Sequence, residues 1–223
     1  MILLMLQHPN GGSSAVPCDD YELTLDSDVR APVQDFVLRC WSQHEGGFGG
    51  LPRSEAHGGM TYCSVASLAL LGWWRHNTAQ VRSMRRRAIH WCVQRHGCGP
   101  VANEETVDDE LDHWERVGDG QGFQGRPNKT HDTCYTFWIG CALRILEASE
   151  FGMKEDSSLL NDERLSEFVL SCEGPLGGFG RDGQDSDPLH SALGFAGLSC
   201  RRGVLGRKLH PVYSTIAQVE GAV

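Results

Sequence analysis

No apolar run in this chain reaches the length of a membrane span or a secretory leader. The six apolar-leaning residues from Met1 to Leu6 fall short of both, since a span takes about 20 residues and a leader's apolar core about 7–15. That predicts a soluble, cytoplasmic protein that is not an integral membrane protein. Positive charge is scarce as well. The 20 Lys and Arg against 29 Asp and Glu give a net charge of -9, which argues against a nucleic-acid partner. Few stretches alternate apolar and polar residues, so half-buried strands are not expected. The 9 cysteines are odd in number and sit mostly singly inside apolar, helix-like stretches. They read as reduced, buried thiols and not as a disulfide framework.

What is present is a core and a repeat. The 223 residues are 40% hydrophobic, enough for one domain or a large part of a bigger one. Three segments look alike. Gly46-Gly-Phe-Gly-Gly50 leads to His57 and an apolar stretch ending at Gly72. Gly120-Gln-Gly-Phe-Gln-Gly125 leads to Asp132 and a stretch ending at Leu146. Gly177-Gly-Phe-Gly180 leads to His190 and a stretch ending at Cys200. In each, a glycine-aromatic turn precedes a polar residue that opens an apolar helix. Phe48, Phe123 and Phe179 set intervals of 75 and 56 residues. The longer interval holds an acidic run, Cys98 to Asp119, read as a solvated loop insertion, with a short surface helix at Asn103 to Arg116 as the alternative. Without it the intervals approach 50 residues, a spacing typical of repeated supersecondary units.

Further helices are expected between the motifs, at Gln80 to Arg95 and at Leu159 to Cys172. The second carries Leu160, Leu165, Phe168, Val169 and Leu170 on its apolar side. The fold class is therefore all-α: paired helices closing toward an α-α barrel, with helix starts lining its cavity. Helix starts present unpaired N–H groups and positive dipole character, so several facing one cavity make an anion site.

Asp132-Thr133-Cys134, with His190 far downstream, offers a carboxylate, a thiolate and an imidazole. Three such ligands leave a fourth position open, as a catalytic zinc requires and a structural zinc lacks. Asp132 also suits a helix N-cap, and the two roles are compatible.

The strings His57-Gly-Gly-Met-Thr-Tyr-Cys63, Gly122-Phe-Gln-Gly-Arg-Pro-Asn-Lys129, Asp132-Thr-Cys-Tyr-Thr-Phe-Trp138, Leu189-His190 and Gly197-Leu-Ser199 resemble the β subunits of protein prenyltransferases. The likeness spans roughly Gln34 to Ser199 and is strongest to geranylgeranyltransferase type I. It implies an α-α barrel working with an α subunit as a heterodimer. It implies transfer of a geranylgeranyl group from geranylgeranyl diphosphate to the cysteine of a C-terminal CaaX motif, X typically Leu, on small GTPases and similar proteins.

By the same resemblance, Asp132, Cys134 and His190 are the ligands of one Zn2+ per β subunit, and with Tyr135 they form the catalytic set. His57, Arg126, Lys129 and Tyr135 hold the diphosphate, and Trp138 walls the isoprenoid cavity. Leu189 and Leu193 stand where farnesyltransferases carry tyrosines. Arg181 aligns with the position where those enzymes bind magnesium through a carboxylate, implying a magnesium-independent reaction.

The family's β subunit is longer, and the first half of its barrel has no counterpart here. The expected organisation is a poorly matched segment over 1–31, barrel repeats over 32–210 with the insertion at 98–119, and a tail over 211–223. The fold expectation is accordingly an incomplete barrel. Three alternatives accompany the leading reading: a Rab-type or farnesyl-transferring β subunit, a shortened non-catalytic binding chain, and a terpene cyclase-like α-α barrel. The last uses acidic motifs in place of Asp-x-Cys with a remote His.

Overall fold

The computed structural model describes residues 26–97, 122–151, 158–183, 185–201, 209–212 and 214. The expected acidic insertion at 98–119 lies outside these. Six α-helices are described: α1 (Ser27–Arg39), α2 (Gly58–Leu70), α3 (Ala79–Val93), α4 (Tyr135–Phe151), α5 (Asp162–Ser171) and α6 (Pro188–Arg201). A single 3-10 turn, Trp73–Arg75, follows α2. The described residues contain isolated β-bridges but no strand longer than one residue, in line with the missing period-2 pattern.

The bridges expose the repeat. Trp41 pairs with Phe48, His96 with Phe123, and Glu173 with Phe179. Each pair joins the residue just past a helix to the aromatic of a glycine turn. The hydrogen bonds recur in register. The N–H after each Phe donates back to the residue before its bridge partner: Gly49 to Cys40 at 3.0 Å, Gln124 to Arg95 at 2.9 Å, and Gly180 to Cys172 at 2.9 Å. Each Phe carbonyl then accepts from the residue that opens the next helix: His57 at 3.0 Å, Asp132 at 3.1 Å and Asp187 at 3.2 Å. The three phenylalanines are buried. Every repeat is thus a helix, a pinned turn and a second helix, with a residue just ahead of that second helix held by backbone.

This register corrects one expectation. The third repeat is opened by Asp187, not by His190, which lies in the first turn of α6. Phe179 to Asp187 is one residue shorter than Phe48 to His57 or Phe123 to Asp132, and the shorter loop moves the polar cap upstream of the histidine. A second correction concerns α5. It starts at Asp162, capped by Asn161, whose side chain accepts from the N–H groups of Glu163 and Arg164. Leu159 lies before the helix, and Leu170 faces outward, 56% exposed. Leu165, Phe168 and Val169 carry the buried face. The helix expected at Gln80 to Arg95 is α3, capped by Thr78.

Helix α4 is the hub and packs against α2, α3 and α6. It is apolar nearly all round, with Phe137, Ile139, Cys141, Ala142, Leu143, Ile145 and Leu146 buried, as a helix enclosed by neighbours must be. The main core joins these to Val65 and Leu68 of α2 and to Ala88 and Cys92 of α3. Deleting one such side chain costs about 2–5 kcal/mol. Helix α1 buries none of its residues, and Val29, Val33 and Phe36 form an exposed apolar stripe along it. Since α4 is rigidly enclosed, its N-terminus is a fixed platform, and the site stands there.

Candidate functional site

The turn before α4 carries Asp132 and Cys134. Asp132 Oδ1 accepts the Cys134 N–H at 2.9 Å, so the carboxylate caps the turn, and its other oxygen lies 3.7 Å from Arg181 Nε. Between them Thr133 is fully buried. Its N–H and its Oγ1 both donate to the Arg181 carbonyl, at 2.7 and 2.9 Å. The turn is therefore held from the third repeat.

His190 arrives from the first turn of α6. Its Nε2 lies 3.3 Å from Asp132 Oδ1. The ligating atoms of Asp132, Cys134 and His190 all lie within 4.8 Å of one another. Bonds of about 2.0–2.3 Å to a tetrahedral zinc place ligands roughly 3.3–3.8 Å apart, so the set needs only a small contraction. The donor chemistry also fits. Burial first, then the Asp132 carboxylate, pushes the Cys134 thiol far above its usual range. A buried thiol beside a carboxylate gains most from a divalent cation, which favours the anionic form of both. The residues present fit zinc.

Asp187 was missed as a site residue. Its Oδ1 caps α6 by accepting the N–H groups of Leu189 and His190, at 2.8 and 3.0 Å. Its Oδ2 lies 2.5 Å from His190 Nδ1. These bonds, led by the His190 backbone N–H, hold the Asp187 carboxyl below the usual carboxylate range. With Nδ1 directed at Asp187, Nε2 is the ring nitrogen turned toward Asp132 and Cys134. The Asp-Pro-x-His spacing was the available signal, because an N-cap residue reaches the third residue after it.

Beside the trio is a hollow lined by His57, Gly125, Arg126, Lys129, Thr130, Asp132, Tyr135 and Arg181. Three cations face one carboxylate there, an arrangement suited to an anion. Arg126 pairs with Glu55 at 2.9 Å. Arg181 donates to Thr130 Oγ1 at 2.6 Å and stands 3.7 Å from Asp132. Arg181 therefore touches both the hollow and the metal set.

His57 caps α2, its Nδ1 accepting the Gly59 N–H at 3.1 Å. That nitrogen carries no proton, so neutral His57 is protonated on Nε2, which lies 3.0 Å from the Tyr135 hydroxyl. Burial, then Arg126, lowers the His57 pKa and keeps the ring neutral. His57 thus donates to the Tyr135 oxygen, and the Tyr135 hydroxyl proton is free to point elsewhere. Burial pushes the Tyr135 pKa up to about 12, so the proton is retained. Glycine fixes this ring from two sides. A Cβ on Gly125 would fall 2.0 Å from Tyr135 Cζ, and one on Gly58 would fall 2.8 Å from its Cδ1.

Of the remaining expected residues, Trp138 lies one turn beyond Cys134, against Tyr62 and Phe137. Leu193 is partly buried against the core and Leu189 is 60% exposed; neither lines the cationic hollow. Among the described residues no helix is long and apolar enough to cross a membrane.

Residues 13–216 match the family of the prenyltransferase alpha-alpha toroid domain. The chain is 34% identical to the geranylgeranyl transferase type-1 subunit beta of Arabidopsis thaliana, over 75% of this chain and 38% of that protein. It is 31% identical to the protein farnesyltransferase subunit beta of Schizosaccharomyces pombe, over 79% of this chain and 41% of that protein. Among solved structures, protein geranylgeranyltransferase-I of Candida albicans, complexed with GGPP, superposes with a TM-score of 0.62 at 25% identity. That likeness covers 84% of this chain and 48% of the other. The chain therefore spans less than half the length of these relatives.

Proposed function

We propose, because the chain belongs to the prenyltransferase alpha-alpha toroid family, that it acts as the β subunit of a zinc-dependent protein geranylgeranyltransferase of type I. Its partner is an α subunit, its donor geranylgeranyl diphosphate, and its acceptor the cysteine of a C-terminal CaaX segment. The observation that carries this reading is the junction at Cys134-Tyr135. One residue belongs to the three-ligand set, the next to the cationic hollow, so a thiol and a diphosphate would meet across one turn of chain.

Zinc, when bound, supplies a Lewis acid that makes a coordinated thiol available as thiolate near neutral pH. Asp132, Cys134 and His190 would hold it, with Asp187 fixing the His190 tautomer. Arg126, Lys129 and Arg181 face the leaving diphosphate, whose charge grows as its C–O bond breaks. Fixed cations then stabilise the transition state more than the ground state. The Tyr135 hydroxyl, its oxygen occupied by His57, donates a hydrogen bond to an oxygen of that diphosphate and keeps its proton. Arg181 supplies positive charge where a magnesium ion would otherwise be needed.

The geranylgeranyl assignment is supported by the Arabidopsis and Candida relatives and by leucines at 189 and 193, where farnesyltransferases carry tyrosines. Trp138 offers an aromatic wall to the isoprenoid. The test is transfer from labelled geranylgeranyl or farnesyl diphosphate to a CaaX peptide ending in Leu, by this chain co-purified with an α subunit. Preferential geranylgeranyl transfer supports the reading. A soluble, zinc-loaded heterodimer that transfers neither group contradicts it.

A further inference from the structure

Helix α6 presents His190, Gly194, Gly197 and Arg201 at spacings of four, three and four residues, one continuous stripe of a helix. Each meets a successive level of α4 and its leading turn. His190 faces Asp132, and Gly194 faces Thr133. Gly197 faces the Thr136–Phe137 peptide, and Arg201 faces Gly140. The two glycines meet different things. A Cβ on Gly197 would fall 2.5 Å from the Thr136 carbonyl carbon and 2.6 Å from the Phe137 nitrogen, so that glycine serves the helix–helix contact itself. A Cβ on Gly194 would fall 2.9 Å from Thr133 Cγ2, 3.0 Å from Phe179 Cδ2 and 3.4 Å from Val169 Cγ1.

We infer that Gly194 is a positioning residue for the metal set: its bare backbone lets α6 close on Thr133, which brings His190 within reach of Asp132 and Cys134. The inference rests on the zinc reading above. Thr133 is the residue between the two other ligands, and it has nowhere to retreat. It is fully buried, and both its N–H and its Oγ1 are tied to the Arg181 carbonyl. A methyl group at 194 therefore pushes either the ligand turn or the first turn of α6, one helical turn upstream. Both moves widen the gap between His190 and its partners. Metal affinity is sensitive to such shifts, since outer residues that orient ligands are worth about 10–100-fold.

Thr133→Ser supplies the control, because it removes the methyl that Gly194→Ala would strike and keeps the hydroxyl that binds Arg181. The experiment compares the full chain as wild type, Gly194→Ala, and Gly194→Ala/Thr133→Ser. Zinc affinity is read by competition with a chromophoric chelator, cobalt(II) absorption reports thiolate ligation and geometry, and far-UV dichroism reports the fold. Gly194→Ala is expected to weaken zinc at least about 10-fold and to lower the cobalt bands. The double variant is expected to return to within about threefold of wild type, on the same orienting argument. Equal zinc affinity in wild type and Gly194→Ala overturns the inference and leaves the metal reading intact. So does a loss of affinity or of fold that Thr133→Ser does not restore. A folded wild-type chain that takes up no zinc overturns the metal reading, and this inference with it.

Discussion

Asp187 and His190 form a carboxylate–imidazole pair 2.5 Å apart, and the same carboxylate caps the helix that carries the imidazole. One side chain thus fixes both where α6 begins and which nitrogen of His190 faces the other ligands. Asp187→Asn separates these duties. Its amide oxygen still caps the helix, while its NH2 group opposes the Nδ1–H of His190. The expected outcome is an unchanged helix content with zinc affinity lowered about 10–100-fold, measured by chelator competition. Equal loss of helix and metal would mean that the cap, not the tautomer, matters.

Tyr135 is held by His57 at its hydroxyl and by two glycines packed against its ring. Tyr135→Phe removes the one proton aimed away from His57. Transfer by the heterodimer should fall on the order of 10²-fold, the usual cost of one donor to a developing oxyanion, with zinc content unchanged. Gly125→Ala should reproduce much of that loss, because its Cβ would occupy the ring's position. Single-turnover kinetics separates this from an effect on product release.

Arg201 is a buried charge whose side chain is 1% exposed. It bonds Asp162 at 2.6 Å and faces Glu147 at 3.5 Å, so it ties α6 to α5 and α4. Arg201→Met leaves the buried Glu147 with the Leu159 N–H, which donates to its Oε1 at 2.9 Å, and with Arg144, 3.8 Å away. Removing one partner of such a pair costs about 3–5 kcal/mol, read by urea denaturation. Adding Glu147→Gln should recover part of it.

His210 supplies a pH dependence. Burial pulls its pKa down to about 4, against about 6.5 in an unfolded chain. Between these values the unfolded state binds the extra proton, so stability is full above about pH 6.5 and falls as pH drops toward 4. Protonation at Nδ1 also breaks the bond that nitrogen accepts from the Val212 N–H at 3.2 Å. That bond helps seat the segment whose Pro211 carbonyl accepts from the Tyr62 hydroxyl. Denaturation midpoints across this window should decline less steeply for His210→Gln than for wild type.

The repeat, the all-helical fold and the candidate trio were legible because glycine-aromatic turns and Asp-x-Cys are local patterns. Arg126 and Lys129 were singled out only through the family resemblance, and both line the cationic hollow. Asp187 was hidden by a loop one residue shorter than its two siblings, which put a histidine where a cap was expected. Leu170 was misplaced because apolar residues at a helix's end satisfy the period without facing the core. The Arg201–Glu147 pair and the Gly194 contact depend on the distance between α4 and α6. No spacing within either helix carries that distance.

Zinc binding by Asp132, Cys134 and His190 is the premise of the proposed transfer chemistry. It is tested most directly by the zinc content of the chain purified with an α subunit, as wild type and as Cys134→Ala. The expected result is about one zinc per wild-type chain, the stoichiometry of a single three-ligand site, and its loss in the variant with the fold retained. Folded wild-type protein without zinc, or equal zinc in both, would contradict it.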